Sequence, residues 1–130
     1  MKLLFVEDDA MNRRVVKDML NVAGVEMDEA DGAKEGLRMI DAGAYDLILM
    51  DLRMPGMDGM AAISALRQRA DDKAGLPVIV LTADAAAGLR EKCMAAGADE
   101  VLFKPVSMQS LFDAIAILMV GRDGGDTIIS

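Results

Sequence analysis

Four short runs of apolar residues punctuate the chain: Leu3–Val6, Leu47–Met50, Val78–Leu81 and Val101–Phe103. None alternates with polar residues, which suits strands covered on both faces, as in a parallel sheet. A fifth stretch, Val25–Ala30, does alternate and is expected at a sheet edge. Segments with helical spacing lie between these runs. Met11, Val15, Met19 and Leu20 form one apolar stripe, ended by Gly24. Leu37, Met39 and Ile40 mark a second helix ending near Gly43, and Ala62, Ile63 and Leu66 a third. Leu89, Cys93 and Met94 mark a fourth, ended at Gly97; Leu111, Ile115, Leu118 and Met119 mark a fifth, ended at Gly121. Alternation of this kind is the pattern of a doubly wound α/β sheet. It leaves the strand order open.

Polar residues follow each apolar run. The first leads into Glu7, Asp8 and Asp9, the second into Asp51, the third into Thr82 and the fourth into Lys104-Pro105. In an open parallel sheet all strand carboxyl ends share one edge, where ligands bind. The pattern therefore gathers carboxylates, a hydroxyl and an ammonium in one place. Clustered carboxylates repel one another. A hard divalent cation such as Mg²⁺ relieves this, and it accepts carboxylate, water and phosphate oxygens. Lys104 and Thr82 suit phosphoryl oxygens, and a carboxylate such as Asp51 can act as a nucleophile that forms an acyl phosphate.

Composition narrows the field. A length of 130 residues fits one domain. Hydrophobic residues reach 53% but aromatics only 3%, so the core has to be aliphatic, with 12 Met as adaptable filler. Met54 and Met57 are expected to differ, because they lie on the loop after Asp51. A formal charge of −8 repels nucleic acid and anionic membranes. The apolar run Ala114–Val120 is too short to span a bilayer, and the N-terminus turns acidic too early for a signal peptide. One Cys forms no internal disulfide, and the absence of His removes both a zinc-site spacing and a catalytic imidazole. A reduced, cytoplasmic setting is expected.

At this point the motifs resemble a known family. Leu-Phe-Val-Glu7-Asp8-Asp9, Asp-Leu-Ile-Leu-Met-Asp51-Leu-Arg-Met-Pro55-Gly-Met-Asp58-Gly59, Val-Ile-Val-Leu-Thr82-Ala83 and Lys104-Pro105 stand in the order and spacing of response-regulator receiver domains, including single-domain chemotaxis regulators. The resemblance covers about residues 2–120. It implies a flavodoxin-like, five-stranded parallel sheet of order 2-1-3-4-5 with five helices. A receiver domain at residues 1–121 and a flexible Gly-rich tail at 122–130 would then make up the chain. By position, Asp51 would be the phosphoacceptor. Asp8 would bind Mg²⁺ directly, together with Asp51 and the carbonyl of Arg53, and Glu7 would bind it through water. Thr82 and Lys104 would contact the phosphoryl group, and the Lys104-Pro105 bond would be cis. The phosphoryl donor would be a histidine kinase or a histidine phosphotransfer protein. A downstream protein would read the face formed by the fourth helix, fifth strand and fifth helix. Such a chain is a signalling domain that catalyses its own phosphorylation and dephosphorylation, not an enzyme with a separate substrate.

One position departs from the family. An aromatic residue usually stands three before the Lys, and here it is Val101. Motion of Thr82 and the small-residue loop Asp84–Gly88 is expected to carry the signal instead. Arg53 and Asp84 are expected to pair across the site and hinder water.

Plainer readings stand beside these. Asp9 and Asp58 suit helix N-caps, where acids meet the helix dipole. Cys93 suits burial, and Arg13 with Arg14 suits a solvated helix face that can also meet the phosphodonor. Other function classes lack their parts. An aspartyl phosphatase of the haloacid dehalogenase type needs Asp-x-Asp, and the chain reads Asp51-Leu-Arg53. A flavodoxin-type electron carrier needs a hydroxyl- and Gly-rich loop where the acids stand. A degenerate docking module would not need Asp51, Asp8 and Lys104 together.

Overall fold

The computed structural model describes residues 1–122. The tail expected over 122–130 falls outside it except for Arg122, which lies in a helix. Strands β1 (Lys2–Val6), β2 (Glu26–Ala30), β3 (Leu47–Asp51), β4 (Val78–Thr82) and β5 (Glu100–Phe103) alternate with helices α1 (Ala10–Val22), α2 (Ala33–Ala42), α3 (Gly59–Arg67), α4 (Leu89–Ala96) and α5 (Met108–Arg122). A 3-10 turn, Asp72–Gly75, precedes β4 and has no counterpart in the sequence reading. All strand pairs are parallel, in the order β2-β1-β3-β4-β5. The expected architecture is therefore the observed one, with the alternating strand β2 at an edge.

Side chains of successive strand residues point to opposite faces, and both faces are covered. Leu3, Phe5, Leu47, Leu49, Ile79 and Leu81 pack against α1 and α5. Leu4, Val6, Ile48, Met50, Val78 and Val80 pack against α2, α3 and α4. This double coverage explains why β1, β3 and β4 read as unbroken apolar runs. The core is aliphatic, with Phe5 the largest side chain fully buried in it.

Helix ends follow the polar signals. Asp9 accepts from the N–H groups of Met11 (2.8 Å) and Asn12 (3.2 Å), and Asp58 accepts from that of Ala61 (2.8 Å). Two glycines with positive φ bound α4, Gly88 at 81° and Gly97 at 118°. That left-handed backbone favours glycine. Cys93 is fully buried on the inner face of α4, as expected.

Met11, Val15, Met54 and Arg13 depart from expectation. Half of the stripe assigned to α1 packs inward, Leu20 buried and Met19 against the core, whereas Met11 and Val15 are exposed and Val16 is buried instead. Met54 is buried in the core despite its loop position, and Met57 packs against the same cluster. Arg13 is not solvated; its guanidinium lies between Glu29 and the Glu7 carbonyl. Among the described residues no helix is long and apolar enough to cross a membrane.

Candidate functional site

Strand register builds the site. Val6 pairs with Met50, so Glu7 stands level with Asp51, and the Glu7 N–H extends the ladder to the Ala30 carbonyl (2.9 Å). Asp51 pairs with Leu81, which places Thr82 one step further along. Thr82 pairs with Phe103, and the Lys104 N–H continues to the Thr82 carbonyl at 2.7 Å. Each polar residue thus follows its apolar run at the same edge of the sheet. The chain turns away there, and the β ladder itself sets their spacing.

Glu7 and Thr82 are each 1% exposed and Asp51 5%, the buried polar residues of the molecule among those described. Carboxylate oxygens of Glu7, Asp8 and Asp51 lie within 4.8 Å of one another. Lys104 is the nearby cation. Its Nζ lies 2.8 Å from Glu7 Oε1 and 3.4 Å from Asp51 Oδ1. Burial would lower the pKa of this ammonium, but Glu7 and Asp51 outweigh it and the pKa is raised. Asp8 is held above the usual carboxylate range, first by hydrogen bonding with Glu7, then by burial and the Glu7 charge. The ammonium meets two of the three clustered acids, which leaves the cluster under-neutralised. Hard oxygen donors grouped this closely fit a small divalent cation such as Mg²⁺.

Around this centre lie the other expected residues. Thr82 Oγ1 accepts from the Asp84 N–H at 3.1 Å. Arg53 Nη2 reaches Asp84 Oδ2 at 2.6 Å, the pairing expected across the site, with the Arg53 side chain 77% exposed. That contact and an Ala86 N–H hold the Asp84 carboxyl below its ordinary pKa. The Lys104-Pro105 bond is cis, also as expected. Gly59, the first residue of α3, packs so tightly on the Asp51 carbonyl and Leu52 Cα that any Cβ there would clash with backbone. The loop after the strand can close back only over a glycine.

Sequence reasoning missed two contributors. Asn12 Nδ2 donates to Glu7 Oε1 at 3.3 Å, and Arg13 Nη1 donates to the Glu7 carbonyl at 2.6 Å. Both sit in the first turns of α1, where spacing alone separates them poorly from a solvated face.

Comparison with known proteins agrees with this geometry. The family model for the response regulator receiver domain matches residues 3–116. A hybrid signal transduction histidine kinase G of Dictyostelium discoideum is 36% identical over 113 residues, which covers 85% of this chain and 3% of that protein. A sensor histidine kinase RcsC of Salmonella typhi is 33% identical over 117 residues, covering 90% of this chain and 12% of that protein. The chain therefore spans only a small part of these curated relatives. Among solved structures, the receiver domain of a Pseudomonas aeruginosa sensor histidine kinase, with a magnesium ion coordinated in its active-site cleft, superposes with a TM-score of 0.81 at 33% identity. That match covers 92% of this chain and 97% of the other. A Francisella response regulator receiver domain gives a TM-score of 0.83 at 30% identity, covering 91% and 95%. Fold, acidic cluster and sequence thus converge, and the chain belongs to the response regulator receiver domain family.

Proposed function

We propose that Asp51 is the phosphoacceptor and that Lys104, Thr82 and the Glu7–Asp8 pair form its machinery. The observation that carries this reading is the burial of Asp51 at the tip of β3, 3.4 Å from Lys104 and within 4.8 Å of two further acids. Asp8, Asp51 and the Arg53 carbonyl would hold Mg²⁺ directly, and Glu7 through water. When bound, the ion neutralises oxygens of the acidic cluster and of the incoming phosphoryl group.

An oxygen of Asp51 attacks the phosphorus of a phosphohistidine. The new O–P bond forms as the N–P bond breaks, and the imidazole nitrogen leaves with the electron pair and takes up a proton. Lys104 and Thr82 meet the phosphoryl oxygens, so the chain contributes mainly positioning and charge. Hydrolysis reverses the state: water attacks phosphorus, and Asp51 leaves as carboxylate. The exposed Arg53–Asp84 pair flanks that approach and slows it.

The donor is a histidine kinase or a histidine phosphotransfer protein. Its docking side is the groove between α1 and the β5–α5 loop, where Val15, Met19, Pro105 and Val106 lie beside Lys104. Output passes through the α4–β5–α5 face, which exposes Met94, Phe103, Met108 and Ile117. With Val101 buried in place of an aromatic switch, Thr82 and the Asp84–Gly88 loop carry the change. The charge of −8 disfavours direct contact with nucleic acid or membrane.

Acetyl phosphate with Mg²⁺ tests the core of this reading. One phosphoryl group is expected on the wild type by intact mass and none on Asp51→Asn. Undiminished labelling of the amide variant would overturn the assignment.

A further inference from the structure

Glu7 has a partner at each of its polar atoms. Its N–H donates to the Ala30 carbonyl (2.9 Å), and its own carbonyl accepts from Arg13 Nη1 (2.6 Å). Oε1 accepts from Lys104 Nζ (2.8 Å) and Asn12 Nδ2 (3.3 Å), and Oε2 accepts from the Asp9 N–H (3.3 Å). Two of these donors are consecutive residues of α1. Arg13 is itself anchored: Nε meets Glu29 Oε1 at 3.0 Å, and Glu29 Oε2 also takes Lys17 Nζ at 3.2 Å. Burial would raise the pKa of Glu29, but the two cations outweigh it and the carboxyl stays below its ordinary range. Arg13 is correspondingly enclosed, its side chain 16% exposed against 74% for Arg14 beside it.

A flexible carboxylate makes a poor ligand, because ordering it on binding opposes affinity. Hydrogen bonds that orient it beforehand remove that opposition. The guanidinium suits this task, since its fixed fork can join a carboxylate to a carbonyl. We propose that Asn12 and Arg13 are positioning residues of the acidic loop. Asn12 holds the Glu7 carboxylate, Arg13 holds the Glu7 main chain next to Asp8, and Glu29 anchors Arg13. The edge strand β2, which supplies no residue to the cluster, thereby influences cation affinity. This rests on reading the cluster as a cation seat.

Isothermal calorimetry with Mg²⁺ on the full chain tests it, paired with thermal melts in the absence of metal. Arg13→Met keeps the apolar stem and removes the fork, and it should weaken Mg²⁺ binding about tenfold. Asn12→Ala should weaken it less, and Arg13→Lys should recover part of the loss. A brace that served only stability would lower the melt and leave affinity unchanged at temperatures where each variant is folded. Wild-type affinity in both Arg13→Met and Asn12→Ala would overturn the proposal. Should Arg13→Met fail to fold, Asn12→Ala and Glu29→Gln carry the same test. A wild type that binds no Mg²⁺, or binds it equally as Asp8→Asn, would instead overturn the cation seat itself.

Discussion

At the amino edge of the sheet the charged side chains close the fold. Arg67 donates to the carbonyls of Gly97 (2.9 Å), Ala74 (2.8 Å) and Leu76 (2.7 Å) and to Asp99 Oδ2 (2.9 Å). Lys73 caps the end of α2 through the carbonyls of Ile40, Asp41 and Gly43 at 2.8–3.0 Å. Asp46 and Asp99 accept the N–H groups of Lys2 and Val78, each at 2.8 Å. The carboxyl edge is the reverse: Glu7, Asp8 and Asp51 crowd together, and Lys104 meets Glu7 and Asp51. Like charges held together by the surrounding fold raise the energy of the ligand-free state, and such strain collects where a ligand is to relieve it. Cutting a charge should therefore have opposite consequences at the two edges.

The largest effect on folding is expected from Arg67→Ala. It leaves three carbonyls and Asp99 without their shared donor, at a cost of about 2–4 kcal/mol. Urea unfolding measures the loss. Phosphorylation of the folded fraction by acetyl phosphate should be unaffected, and a parallel fall in chemistry would erase the distinction between the edges.

Asp8→Asn should act with the other sign. Because the folded-state pKa of Asp8 is raised, its ionised form disfavours the native state as pH rises through that range. Without metal, the amide variant should melt at or above the wild-type temperature near neutral pH, and the difference should shrink as acid protonates Asp8. The same variant should lose Mg²⁺-dependent phosphorylation. A lower metal-free melt at pH 7 would mean the cluster is no more strained than the amino edge.

A smaller effect belongs to the exposed rim. Arg53→Ala and Asp84→Ala each remove the pair that flanks Asp51, and each should speed dephosphorylation several-fold. Their melts should not move, since an exposed ion pair contributes little to stability. A phosphatase-free decay of labelled protein reads the rate. Unchanged decay would remove the pair from the chemistry.

The two edges also differed in how far the sequence exposed them. Glu7, Asp51, Thr82 and Lys104 were legible because a strand tip followed by a polar residue has one place to go in a parallel sheet. Strand order came through resemblance, since alternation alone permits others. Arg67 and Lys73 were not legible: their partners are carbonyls, which every residue carries, 7–33 positions away. On α1 the apolar pattern points correctly to Met19 and Leu20 but not to Val16, because Val15 and Val16 are identical in type and only packing on the sheet selects Val16. The same ambiguity hid Arg13, which looks like Arg14 in sequence and not in burial. Met54 shows the reverse error, a loop position that nonetheless reaches the core.

The last contrast can be read by spectroscopy without touching the site. Tyr45 is the single Tyr of a chain without Trp, so one phenol titrates on an uncluttered background. It precedes β3, and its OH donates to Asp28 Oδ2 at 2.7 Å. Burial first, then the Asp28 hydrogen bond and charge, push its pKa up to about 12. The same bond, with Lys2 assisting, holds the Asp28 carboxyl below its ordinary range. A phenol with a raised folded-state pKa stabilises the fold fully below the unfolded value of about 10, and that stability is lost as pH rises from there through 12. Two pH units correspond to at most about 3 kcal/mol. Asp28 works in the opposite direction: its contribution is present above the ordinary carboxylate range and is lost as pH falls through its lowered pKa. The pair thus favours the fold throughout the neutral range, where ionised Asp8 opposes it. Phenolate absorbance should show a midpoint near 12 in the native protein, and Asp28→Asn should lower it toward the value set by burial alone, with phosphorylation unchanged. A native midpoint near 10 would show that Tyr45 and Asp28 are not joined, and the amino edge would lose its claim to matched charge.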